Sequence, residues 1–146
     1  MFFWFSILLI FAFALGENLD RQLLEFENLL QRHGLRFKKK KSVEEAVYAH
    51  RNVTLRVQYN HRVHFMSAWI VPRRDYRDNR RTLDFLSYAA KTFCMADEKQ
   101  VADFRDRVAY SISHTKSTPL TVGKCSGELR HVAEFMNWEL ILNIRE

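Results

Sequence analysis

Two stretches in which apolar side chains recur at every second position flank a segment in which they recur every third or fourth, and this change of period restricts the chain to a mixed fold. Val53, Leu55, Val57 and Tyr59 alternate with Thr54, Arg56 and Gln58. Near the other end, Trp138, Leu140, Leu142 and Ile144 alternate with Glu139, Asn143 and Arg145, with Ile141 the one apolar residue on the outer side. A period of two belongs to a strand with one wet face. After a turn at Asn60-His61, Val63 to Val71 is apolar on both faces, with Phe65, Trp69 and Val71 on one and Met66, Ala68 and Ile70 on the other. That pattern predicts an interior strand, ended by Pro72.

The helical period occupies the rest. From Glu17 to His33, Leu19, Leu23, Phe26 and Leu30 share a face, and Gly34 stands where a left-handed cap is wanted. Ser42-Val43-Glu44-Glu45 has the S-x-x-E form of a capping box and predicts a short helix through His50. Beyond an arginine-rich link, Leu83, Leu86, Ala90 and Phe93 mark a long helix to Cys94. Asp97 with Gln100 caps another whose stripe is Val101, Phe104, Val108 and Ile112, the two helices forming a hairpin through Met95-Ala96. After Pro119, Leu120 and Val122 lead to Cys125, a turn is expected at Ser126-Gly127, and Leu129 to Ala133 pairs back. The expected fold class is α+β: an antiparallel sheet of four to five strands, with the helical hairpin and the N-terminal helix packed on one face.

Met1 to Leu15 carries one polar side chain, Ser6, and no charged one, and ends at the small-x-small site Ala14-Leu15-Gly16. The run is shorter than the roughly 20 apolar residues that span a bilayer, yet it fits the apolar core of a secretory signal. Residues 1–16 are therefore expected to be a signal peptide and residues 17–146 a single domain, secreted or periplasmic. No Lys or Arg opens the leader, so an uncleaved anchor facing outside the cytoplasm is the alternative, with Phe2, Phe3, Trp4 and Phe5 suited to membrane contact. Outside the cytoplasm an even pair of cysteines is expected to oxidise, so Cys94 and Cys125 are predicted to form a disulfide closing a loop of about 31 residues. Asn52-Val53-Thr54 is a sequon that would accept a glycan in a eukaryotic secretory pathway.

Positive charge is concentrated in the first half. Glu17 to Leu83 holds 15 Lys and Arg against 8 Asp and Glu, whereas Asp84 to Glu146 holds 8 against 9. The excess lies in two clusters: Arg32, Arg36 and Lys38, Lys39, Lys40, Lys41, then Arg73, Arg74, Arg77, Arg80 and Arg81. Such clusters attract anionic partners with a strength that falls in salt. The candidate anion-binding residues are Arg36, Lys38 to Lys41, Arg73, Arg74, Arg77, Arg80 and Arg81.

Enzymatic motifs are absent. Glycines at 34, 123 and 127 fit neither a dinucleotide fingerprint nor a P-loop, and there is no G-x-S-x-G or H-E-x-x-H. The paired acids Glu44-Glu45 and Asp97-Glu98 are absorbed by helix caps, and Asp103 and Asp106 by a solvated helix face. No catalytic residue, metal ligand or cofactor is assigned. The expected function is a non-enzymatic binding module for an anionic envelope surface or an acidic protein. Nucleic acid is disfavoured, because export removes the usual targets. Two alternatives remain: a cell-envelope hydrolase or metal-dependent enzyme assembled from His50, His61, His64, His131, Glu128 and Glu139, and a small protein inhibitor or immunity factor.

Overall fold

A computed structural model describes residues 19–74 and 76–145, over 76–78 by backbone alone. The leader expected over residues 1–16 lies outside the described residues. Helix α1 runs over residues 19–32, followed by strands β1 (Lys38–Lys41), β2 (Glu45–His50), β3 (Val53–Tyr59) and β4 (Val63–Ile70). Helices α2 (Tyr76–Phe93) and α3 (Glu98–His114) come next, then β5 (Thr118–Val122), β6 (Cys125–Val132) and β7 (Asn137–Ile144). The strands form one antiparallel sheet in the order β1-β2-β3-β4-β7-β6-β5. The α+β class is as expected, with seven strands instead of four or five.

Register explains which side chains make the core. Residues opposite one another across an antiparallel sheet share a face. One row reads Tyr48, Leu55, Ala68, Leu140, Leu129, and the next reads Ala46, Val57, Met66, Leu142, Gly127, Leu120. Apart from the glycine, every one of these is buried. Leu23, Phe26 and Leu30 of α1, Phe85, Leu86 and Phe93 of α2, and Phe104 and Val108 of α3 close over them. Phe26 is central, with Tyr48 at 5.0 Å, Phe93 at 5.1 Å and Phe85 at 5.5 Å between ring centroids. On the opposite face Phe65, Ser67, Trp69 and Ile141 are only half-buried. β4 is thus interior in the sheet, as its composition predicts, but covered on one side.

Three local expectations are corrected, and the sequon is placed. Ser42 to His50 is a β-hairpin arm and not a helix: the Ser42 N–H donates to Glu45 O at 2.8 Å, and Ala46, Tyr48 and His50 alternate inward. S-x-x-E satisfies a hairpin turn as readily as a first helical turn, and the β-favouring Val47 and Tyr48 decide between them. Ser126-Gly127 is not a turn but part of β6, the chain reversing instead at Gly123-Lys124 with Gly123 at φ 54°. A Cβ on Gly127 would lie 1.8 Å from Ile141 O, so this glycine serves close strand approach. Helix α2 starts at Tyr76, so most of the arginine-rich link is helical. Asn52 lies in the turn between β2 and β3 and is 6% exposed; its Nδ2 donates to Val71 O at 2.9 Å and its Oδ1 accepts from Thr82 Oγ1 at 2.7 Å. The sequon is closed in the folded chain.

Other expectations hold. Gly34 caps α1 at φ 70°. Asp97 and Gln100 make a reciprocal capping box on α3, with Gln100 N donating to Asp97 Oδ1 at 2.8 Å and Asp97 N to Gln100 Oε1 at 3.0 Å. Cys94 and Cys125 are bonded, tying the end of α2 to the start of β6, both fully buried. No helix among the described residues is long and apolar enough to cross a membrane.

Candidate anion-binding pocket

The two basic clusters have different fates. Within β1, Lys39 and Lys41 point toward the helices, where Lys39 Nζ meets Glu27 at 2.7 Å and Lys41 Nζ meets Asp20 at 3.0 Å. Lys38 and Lys40 pair opposite Ala49 and Val47 and so lie on the uncovered face, at the sheet margin. In the second cluster Arg73 is fixed through its backbone, its N–H donating to Asn79 Oδ1 at 3.0 Å and its carbonyl accepting from Asn79 Nδ2 at 2.6 Å. Arg74 is exposed, the Arg77 side chain lies outside the described residues, and Arg80 faces a cleft between α2 and α3 that includes Leu83, Arg105 and Ile112. Of the ten basic candidates, the structure brings together Arg36 and Arg81.

They meet at a pocket of about 350 Å³ lined by Gly34, Arg36, His50, Arg51 and Arg81. Three pieces of chain supply it, each for a local reason. The left-handed cap at Gly34 stops α1, with Gly34 N donating to Gln31 O and Leu35 N to Leu30 O, and turns the chain so that Arg36 follows at once. Alternation in β2 points His50 inward, 2% exposed, with its ring stacked on Phe85 of α2 at 5.4 Å. His50 pairs with Val53, leaving only Arg51 and Asn52 to make the turn, and Arg51 adopts φ 47°. The buried Asn52 side chain then fastens that turn to Thr82, next to Arg81.

Arginine dominates the lining of the pocket. Three guanidinium-bearing residues line it, and among the described residues no carboxylate does. Neither Arg36 nor Arg81 makes an ion pair among the described residues, whereas Arg56, Arg105, Arg107 and Arg130 are paired with Glu45, Asp84, Asp103 and Glu139. His50 Nδ1 bonds the carbonyl oxygen of Arg36. A carbonyl only accepts, so Nδ1 carries a proton and donates it, leaving Nε2 as the other ring nitrogen. That Nε2 is buried and has no hydrogen-bond partner. A buried polar atom left without a partner costs about 1–3 kcal/mol.

The alternative enzymatic set does not assemble. His50 is under α2, His61 and His64 are exposed beside the β3–β4 turn, and Glu128 and Glu139 are on the uncovered sheet face, where Glu139 meets Arg130 at 3.1 Å. His131 packs against Trp138. Among the described residues no group of three or more His, Cys, Asp or Glu is placed to hold a metal ion.

Sequence reasoning left Arg51 out of the basic candidates and placed His50 at the end of a short helix instead of in β2. The period-two signal that would have found them, Ala46-Tyr48-His50 inward with Arg51 at the turn, was masked by the capping-box reading of Ser42 to Glu45. Comparison with protein-family models, with curated proteins and with solved structures finds no match to this chain.

Proposed function

We propose that this chain is an exported, non-enzymatic binding module that recognises an anionic group, presented by an envelope surface or an acidic partner, in the pocket formed by Arg36, His50, Arg51 and Arg81. The observation that carries the reading is the meeting of Arg36 and Arg81, from the end of α1 and from α2, in one pocket, neither of them ion-paired among the described residues. Like charges gathered in one concavity repel one another and focus a positive potential, and an incoming anion relieves both. Guanidinium groups suit oxyanions because their planar fork donates two parallel hydrogen bonds. The buried Cys94–Cys125 bond supports a site of action outside the reducing cytosol.

The test is titration of the folded protein with small oxyanions and with anionic vesicles across a sodium chloride series. Affinity is expected to fall as salt rises, and Arg36→Gln and Arg81→Gln each to weaken it about tenfold, the loss of one charge-assisted hydrogen bond. Salt-indifferent binding, or binding untouched by both substitutions, would refute the proposal.

A further inference from the structure

We infer that one end of the sheet docks on an anionic lipid bilayer, with Phe135 and Met136 at the β6–β7 tip entering the boundary between head groups and acyl chains. This names the surface left open by the anion-binding reading, on which it rests for the pocket's share of the attraction.

Strand register defines that end. His50, Val53, Ile70, Trp138 and His131 face one another across β2, β3, β4, β7 and β6. Beyond this row lie the β2–β3 turn, the chain leaving β4 from Val71 to Arg74, and the β6–β7 tip from Ala133 to Met136. Lys116 and Ser117, which lead into β5, join them through His131 N donating to Ser117 Oγ at 3.0 Å. Seven large apolar side chains are exposed among the described residues, and three of them, Val71, Phe135 and Met136, stand at this one end.

The tip is shaped to present its apolar pair. Val132 pairs with Asn137, while Phe135 N donates to Val132 O at 3.2 Å and Met136 N to Ala133 O at 3.3 Å, closing a four-residue turn. Phe135 is 65% exposed and Met136 77%, and Met136 sits at φ 54°, which a residue with a side chain adopts at a cost. The Phe135 ring meets Trp69 edge-on at 6.4 Å, on the side of the sheet that no helix covers. Water is a poor surrounding for such a pair, and burial in acyl chains is favourable.

Charge decides which apolar surface fits. Arg73, Arg74 and Lys116 are exposed at this end and form no ion pair among the described residues. The Arg36–Arg81 pocket borders it, since the Arg36 carbonyl meets His50 and Thr82, next to Arg81, meets Asn52. Glu134, exposed in the tip, opposes them. Apolar insertion supported by basic side chains binds anionic bilayers through buried area together with an attraction that salt weakens. A protein partner fits less well: a projecting pair of side chains supplies little of the roughly 800 Å² per partner that a stable interface covers.

The test is a local one. Both native cysteines are held in the buried disulfide, so a cysteine introduced by Met136→Cys takes a polarity-sensitive fluorophore alone. Val43→Cys is the control, 91% exposed in the β1–β2 turn at the opposite end. Both sites are on the surface, where substitution leaves the fold standing. Each labelled full-length chain is titrated with phosphatidylcholine vesicles, with and without phosphatidylglycerol, at low and high sodium chloride. The emission is expected to shift to the blue at position 136 and not at 43, with anionic vesicles, and to need more lipid as salt rises. In the Met136→Cys background, Phe135→Ser should raise the half-saturating lipid concentration about tenfold, and Arg73→Gln and Arg74→Gln about fivefold each.

No shift at 136 on any vesicle, an equal shift at both positions, or an equal response to neutral and anionic vesicles overturns the bilayer assignment. A shift that grows with protein concentration in the absence of lipid also overturns it, in favour of contact between two copies. Because the fluorophore reports only its own surroundings, vesicle capture through residues 1–16 does not imitate the expected result. Titration with inorganic phosphate and sulfate keeps the two readings apart. Oxyanion binding sensitive to Arg81→Gln, without a shift at 136, overturns the bilayer assignment alone; a shift at 136 without oxyanion binding overturns the pocket alone.

Discussion

Single side chains in this protein show both outcomes of burying a polar group, left unpartnered in Tyr48 and fully engaged in Asn52. Tyr48 Oη is buried and has no hydrogen-bond partner, while its ring is enclosed by Phe26 and Phe37. Burial, reinforced by the nearby Glu27 carboxylate, pushes the phenol well above its ordinary value of 10.0. Tyr48→Phe is therefore expected to stabilise the fold by up to about 1 kcal/mol in urea titrations at pH 7, by removing a desolvated hydroxyl that bonds to nothing. The sign of the alkaline limb follows. Below about pH 10 the phenol is neutral in both states; above it the unfolded chain ionises first, so wild-type stability falls as pH rises. Tyr48→Phe should flatten that fall, read from urea midpoints between about pH 9 and 11. Asn52 is the counter-example, since both ends of its amide are engaged. Secretion through an N-glycosylating pathway should yield folded protein without a glycan by intact mass, and Asn52→Ala should cost about 2 kcal/mol for its two hydrogen bonds.

Among the elements, the lysine strand is the most informative, because its charge serves two ends. The two margins of the sheet are β1 and β5, and an open margin is a template for another chain. β1 consists of four lysines and β5 carries Pro119, which has no N–H to offer. Lys39 and Lys41 hold α1 to the sheet, leaving Lys38 and Lys40 to discourage association. Replacing Lys38 and Lys40 together by Val should leave the unfolding midpoint within about 0.5 kcal/mol while shifting the protein toward aggregates in size-exclusion chromatography; unchanged elution would argue against this role. The elements legible from sequence were those whose period ran long enough to be unambiguous: α1, α3, β3, β4 and β7. The failures were short or two-sided. Ser42 to Glu45 fits two turns, β1 has no hydrophobic period at all, and Gly127 resembles a turn glycine although its reason is the Ile141 carbonyl. The site was legible only to the extent that the two basic clusters, which contain Arg36 and Arg81, were read. Its composition was not, because the pairing of Arg36 with Arg81 is set by how the end of α1 meets α2, which no local pattern encodes.

At the scale of the molecule, the Cys94–Cys125 bond joins the helical hairpin to the sheet, from the end of α2 to the start of β6. The closed loop spans 31 residues, for which chain entropy gives a stabilisation of roughly 3–4 kcal/mol. Replacing both cysteines by Ala should lower the free energy of unfolding by about that amount. Because both sulfurs are fully buried, reductant under native conditions should act only as fast as the protein opens, which thiol labelling against time would follow. The sheet order has a further consequence for synthesis. β4, the midline of the sheet, hydrogen-bonds on one side to β3 and on the other to β7, its Phe65 opposite Asn143 and its Ile70 opposite Trp138. A nascent chain emerging from the ribosome therefore carries Val63 to Ile70 with one flank bare until residue 144 is made. The apolar midline depends during that interval on whatever escorts the polypeptide, and slow translation of residues 71–144 would endanger it more than any single weak contact in the finished protein.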